Sequence, residues 1–172
     1  MKVYCYSRFD FAKEMQRLEW NDKTLPKNVA IISICCTEPV KQHWKSKGYD
    51  GNEDEHYFSD AENVFNVDFD DISEATQDCG NFTATCITRE QACAMVRFIV
   101  KHSNCDFYIH CNAGKSRSQA VVRYISDFLG QTREIETRAE NPCLYPNAYV
   151  LSELYRATAD EIYKSNHNHY GE

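Results

Sequence analysis

Residues 110–118, His-Cys-Asn-Ala-Gly-Lys-Ser-Arg-Ser, place a nucleophile and an anion cradle within one short segment. An apolar run, Asp106-Phe107-Tyr108-Ile109-His110, precedes it, and an amphipathic pattern with Val121, Val122, Ile125 and Leu129 follows. A loop between a strand and a helix start aims successive backbone N–H groups at one point, where the helix dipole also favours negative charge. Here those amides belong to Cys111, Asn112, Ala113, Gly114, Lys115, Ser116 and Arg117. Arg117 adds a planar fork that can hold two phosphate oxygens at once. Cys111 opens the same loop, and a positive field there favours thiolate over thiol. A thiolate beneath a bound phosphate is an in-line nucleophile, so covalent phosphoryl transfer is the chemistry this segment can perform.

Two other readings of the segment compete. Gly114-Lys115-Ser116 looks like the end of a nucleotide-binding phosphate loop, but the first glycine of that motif would fall on Ile109, so the match fails. The plainer alternative is a buried cysteine ahead of an ordinary helix. A lone Cys-x5-Arg would carry little weight. His110, Gly114, Ser118, the preceding strand and the following helix lift it above chance.

The elements that must position this loop can be read from periodicity. Residues 1–6 form a short strand, and Ser7 caps a helix over 9–18, where Phe9, Ala12, Met15 and Leu18 recur at helical spacing. Val29–Ile34 is a β-branched run of the kind found in buried parallel strands. Thr37 and Pro39 open a helix to about Ser46, and 47–62 reads as a loop. In the strand Asn63–Phe69, Phe65, Val67 and Phe69 face one way and Val64, Asn66 and Asp68 the other. A polar loop follows over roughly 70–87. Thr88-x-x-Gln91 is a capping box that starts a helix with Ala92, Met95, Val96, Ile99 and Val100 on one side. Gly130 stands where a helix C-terminal glycine belongs. After an irregular stretch around Pro142 and Pro146, a last helix covers 147–164, with 165–172 as a frayed tail. Strands alternating with helices predict a single α/β domain with a mostly parallel central sheet flanked by helices. In such sheets ligands bind beyond the carboxyl ends of the strands, where loop 111–117 falls.

Composition excludes several classes. The chain has 172 residues, 42% apolar and 13% aromatic, enough to bury a core. A formal charge of -7 argues against a general nucleic-acid partner. No apolar run approaches the ~20 residues of a membrane span. The nine cysteines are odd in number, no apolar signal stretch opens the sequence, and no Cys-x-x-Cys or zinc-finger spacing occurs. A disulfide framework, a metal site and a cofactor are therefore not expected, and the location expected is cytoplasmic. Most of the cysteines read as small buried hydrophobes. For Cys35 and Cys36, which end a strand of the same sheet, a protective disulfide with Cys111 is the alternative.

His110-Cys111-x-x-Gly114-x-x-Arg117-Ser118 resembles the signature of the cysteine-dependent protein tyrosine phosphatase superfamily, and the Ser-Arg-Ser ending resembles its dual-specificity branch. The motif match covers nine residues and the layout resemblance roughly residues 1–164. The resemblance implies a fold of that type and a phosphocysteine formed on Cys111. It implies that Arg117 and the loop amides hold the phosphoryl oxygens of a phosphorylated protein or peptide. Ser118 would bond the sulfur and help it leave, and His110 would support the loop from below. One carboxyl group would serve as general acid and then base. Matching the strand alternation to the family pattern places that group on Asp71, with Asp70 next. Asp71 lies 40 residues before Cys111, a longer separation than is usual, so an insertion falls in 72–87 and Asp78, 33 residues before Cys111, competes by spacing. Phosphotyrosine is the leading substrate, with phosphoserine and phosphothreonine beside it. The alternatives are a phosphoprotein-binding module without turnover, or a phosphatase for a phosphoinositide or an RNA 5′-phosphate.

Overall fold

The computed structural model describes residues 1–49, 54–139 and 146–168. Parts of the expected 47–62 loop, of the irregular stretch around Pro142 and of the C-terminal tail lie outside the described residues. A five-stranded sheet forms the centre: β1 (Lys2–Ser7), β2 (Val29–Cys35), β3 (Val64–Asp68), β6 (Asp106–Cys111) and β7 (Glu136–Ala139), in the order β3-β2-β6-β1-β7. Every pairing within it is parallel. Every residue of β2 is buried, as its sequence, apolar but for Ser33, requires of a strand covered on both faces.

Among the described residues the helices are α1 (Arg8–Arg17), α2 (Glu38–Ser46), α3 (Arg89–Lys101), α4 (Arg117–Leu129) and α5 (Ala148–Asn168). Their starts follow local chemistry. Ser7 Oγ accepts the N–H of Asp10, and Thr88 with Gln91 closes the capping box in both directions. One side of the sheet packs Ile32, Ile34, Val67 and Phe69 with Met95, Val121, Ile125 and Leu154, drawn from α3, α4 and α5. The other side packs Tyr6, Ile31, Val64 and Tyr108 with Phe11 and Met15 of α1. The alternation read along β3 is thus realised: Val67 and Phe69 enter one layer and Val64 the other. Full burial of each such side chain contributes about 1.5–3 kcal/mol.

Four features depart from the sequence reading. Residues 70–87 are not a plain loop: β4 (Thr76–Asp78) and β5 (Thr83–Thr85) pair antiparallel. Gly80 turns this hairpin with φ +86°, and Asp78 Oδ1 accepts the Gly80 N–H at 2.8 Å. No buried alternation announced it, because the three residues of β4 are all exposed. The second unannounced strand, β7, is an edge strand whose Glu136, Thr137 and Arg138 are exposed. Its position is fixed by pairing with β1. Third, α5 continues past residue 164 to Asn168. Finally, Gly130 ends α4 with φ -62°, a right-handed conformation, so it is not there to supply a left-handed turn. No helix among the described residues is long and apolar enough to cross a membrane.

Candidate active site

β6 ends at Cys111 and α4 begins at Arg117, so the five residues between them form a loop at the carboxyl edge of the sheet. Backbone contacts from distant parts of the chain hold it. Ser7 at the end of β1 lies beside Cys111 in the sheet register, and the Arg8 N–H donates to the Asn112 carbonyl at 3.1 Å. Gly114 adopts φ +66° and rests on β1: a Cβ there would lie 2.4 Å from Ser7 N and 2.5 Å from the Tyr6 carbonyl carbon. Both the left-handed φ and the close approach require glycine. The Gly114 carbonyl accepts from Gln119 Nε2 at 3.3 Å, folding the loop back over the first turn of α4.

Cys111 is 2% exposed, and its Sγ lies 3.1 Å from Ser118 Oγ. On the other side of that hydroxyl, Cys5 Sγ donates to it at 3.2 Å. Burial, reinforced by the nearby Cys111, pushes the Cys5 thiol up to about 12, so Cys5 stays protonated and a donor.

Arg117 is 3% exposed. Its Nη1 donates to the Phe69 carbonyl at 2.6 Å and the Cys35 carbonyl at 3.2 Å, which fastens the guanidinium to the ends of β2 and β3. Its Nε is buried and has no hydrogen-bond partner among the described residues. Burial alone would lower the Arg117 pKa. Cys36, Cys111 and Asp71 more than offset it and hold the guanidinium above its usual value. A buried donor without a partner costs about 1–3 kcal/mol.

The three candidate acids separate by their partners. Asp70 is 3% exposed and fully occupied: Oδ1 accepts the Thr37 N–H at 2.9 Å, and Oδ2 accepts Thr37 Oγ1 at 2.7 Å and the Thr85 N–H at 2.8 Å. It ties α2 and the hairpin to β3. Asp78 sits in the hairpin, on the Gly80 amide. Asp71 is exposed and reaches the loop, where its Oδ1 accepts Ser116 Oγ at 2.7 Å and Asn147 Nδ2 at 2.8 Å.

Asn147 was not legible as part of the site. Its side chain also bonds the Ile72 carbonyl at 2.9 Å and accepts the Val150 N–H at 3.0 Å, while its own N–H bonds the Ser116 carbonyl. An asparagine just ahead of an apolar helical pattern is a recognisable cap, but only the fold brings this cap to Asp71 and Ser116. Arg8 was missed as well. Its Nη1 lies 3.6 Å from Cys35 Sγ, and its charge is felt at His110.

His110 is buried against the Phe11 ring, with centroids 4.3 Å apart, and neither ring nitrogen has a partner among the described residues. Burial, with the Arg8 and Arg117 charges and His56 around it, pushes the imidazole down to about 3, so it is neutral. Asn112, Ala113 and Lys115 are exposed at the loop surface, and Ser116 is half-buried.

One loop thus brings together a buried sulfur, a guanidinium fixed on two carbonyls and an exposed carboxyl group. No protein-family model matches this chain, nor does any curated protein or solved structure.

Proposed function

We propose that the protein is a cysteine-dependent phosphomonoester phosphatase of the dual-specificity type, acting on phosphotyrosine and on phosphoserine or phosphothreonine in proteins. The observation that carries this reading is the pairing of Cys111 with Arg117. A buried sulfur bonded to Ser118 and a buried guanidinium with an unpartnered Nε stand at the two ends of one loop.

The steps follow from the placement. The Cys111 sulfur attacks phosphorus while the loop amides and Arg117 hold the equatorial oxygens. The ester oxygen leaves, taking a proton from Asp71. The resulting Asp71 carboxylate accepts a proton from the water that attacks the phosphocysteine, and inorganic phosphate departs. Ser118 Oγ donates to the sulfur as the P–S bond breaks. Ser116 and Asn147 aim the Asp71 carboxyl group, and neutral His110 supports the loop by packing. The hairpin 76–85 occupies the insertion that separates Asp71 from Cys111. Free thiols at all eight cysteines among the described residues favour a reducing, cytoplasmic setting.

This chemistry stabilises charge without a cation. The test is hydrolysis of an aryl phosphate in excess EDTA, with vanadate as competitor. Full activity in EDTA and competitive inhibition by vanadate are the expected results. Activity that disappears in EDTA and returns with magnesium would overturn the mechanism.

A further inference from the structure

Ser118 Oγ stands between two sulfurs, 3.1 Å from Cys111 Sγ and 3.2 Å from Cys5 Sγ. Cys5 belongs to β1, where it lies opposite Ile109 of β6. All three side chains are buried. Packing alone does not call for a cysteine at position 5, since its neighbours in the same layer, Val3 and Ile109, are hydrocarbons.

We propose that Cys5 is a positioning residue for the candidate nucleophile: its S–H donates to Ser118 Oγ and thereby turns the Ser118 hydroxyl proton onto the Cys111 sulfur. The inference rests on the phosphatase reading for its catalytic meaning alone.

The direction follows from counting protons. A serine hydroxyl has one proton to give and two lone pairs with which to receive, so it can serve as donor to only one of the two sulfurs. Burial, reinforced by the nearby Cys111, pushes the Cys5 thiol up to about 12, and Cys5 therefore keeps its proton. That proton has two acceptors in reach, Ser118 Oγ at 3.2 Å and the Gly114 carbonyl at 3.6 Å, and Ser118 is the nearer. With a lone pair of Ser118 occupied by Cys5, the hydroxyl proton turns to the other side, where Cys111 lies. A thiolate there is also the stronger acceptor of the two sulfurs, because a hydrogen bond to an ionised group is about twice as strong as one between neutral groups. The three groups then form a chain in which each donor strengthens the next.

The fold also supplies the competitor that Cys5 holds off. Ser118 stands four residues after Gly114, and a helical serine often turns its hydroxyl to the carbonyl four residues back. Gln119 Nε2 meets that carbonyl at 3.3 Å, and Cys5 Sγ stands 3.6 Å from it. Without the Cys5 donor, the Ser118 hydroxyl is released from its orientation and divides its proton between the Gly114 carbonyl and Cys111.

The test reads the thiolate-to-thiol ratio of Cys111 from ultraviolet thiolate absorbance across pH, each chain being measured against its own Cys111→Ser counterpart. At equal pH, Cys5→Ala should lower the ratio about 3–10-fold, the worth of one ordinary hydrogen bond. Ser118→Ala should lower it at least as far, and adding Cys5→Ala to Ser118→Ala should change nothing more. The proposal fails if Cys5→Ala leaves the ratio unchanged, or if it lowers the ratio equally with Ser118 present and absent, which is the signature of altered packing. Should Cys5→Ala not fold, Cys5→Val takes its place, filling the position without a donor, and an unchanged ratio in Ser118→Ala rejects the proposal by itself. Hydrolysis does not enter the readout. A wild type that cleaves no phosphomonoester, with the ratios as expected, would overturn the phosphatase reading and leave the role of Cys5 standing.

Discussion

The carboxyl ends of β6 and β3 meet at the same site but are built in opposite ways. At the end of β6, every group of the proposed site stands within nine residues, between the strand end at Cys111 and the helix start at Arg117. At the end of β3, Asp68, Asp70 and Asp71 crowd together, and their roles are set by partners far away in sequence. Asp68 takes His56 and Lys41, Asp70 takes Thr37 and Thr85, and Asp71 takes Ser116 and Asn147. Anion binding is a backbone property that a short segment can encode. The duty of a carboxylate is an environmental property that the rest of the fold assigns.

The largest effect should come from the self-contained end. Cys111→Ser should lower turnover by more than about 10⁴-fold, as loss of a covalent nucleophile does. Vanadate binding should remain measurable by calorimetry, because the amides and Arg117 are untouched. Substantial residual turnover would mean that the sulfur is not the nucleophile.

At the end of β3, neighbouring acids should behave differently. Asp71→Asn should slow hydrolysis of a phosphotyrosine peptide by about 10²–10⁴-fold, and that of an activated nitrophenyl ester much less. It should also erase the basic limb of the pH–rate profile, where loss of the acid's proton lowers the rate. The profile of Asp78→Asn on both substrates is the control. If Asp78→Asn loses the limb and Asp71→Asn keeps it, the acid lies in the hairpin.

Asp70→Ala should act on stability instead. It leaves the Thr37 N–H, the Thr37 hydroxyl and the Thr85 N–H without their acceptor. A cost of about 1–3 kcal/mol for a buried unsatisfied group applies, readable in the urea midpoint, while the basic limb of the pH profile persists. A profile that lost that limb would assign Asp70 to the chemistry.

The smallest effect concerns His110. Its pKa is about 3 in the folded chain against an ordinary 6.5, so between those values the unfolded chain binds more protons. The stability due to neutral burial is fully present above pH ~6.5 and drains as the pH falls, by at most about 1.4 kcal/mol per pH unit. Unfolding free energies measured between pH 6.5 and 5 should therefore slope less steeply in His110→Gln. Parallel slopes would show that His110 does not carry this linkage.

The sequence by itself determined the central elements and the reactive loop. Their signals are local: a β-branched run for β2, an apolar run for β6, a capping box for α3, and the His110–Ser118 motif between β6 and α4. Tertiary structure alone decided the rest. The exposed strands β4 and β7 have no apolar alternation to reveal them. Their backbone hydrogen bonds, made to partners the sequence does not name, define them. The contrast between Asp70 and Asp71 likewise turns on one step along the chain, which puts one carboxylate into a buried set of donors and the other at the loop. The convergence of Cys5 with Ser118 and Cys111 depends on β1 lying parallel beside β6. Local sequence specifies what the backbone does, and long-range packing specifies what each charge meets.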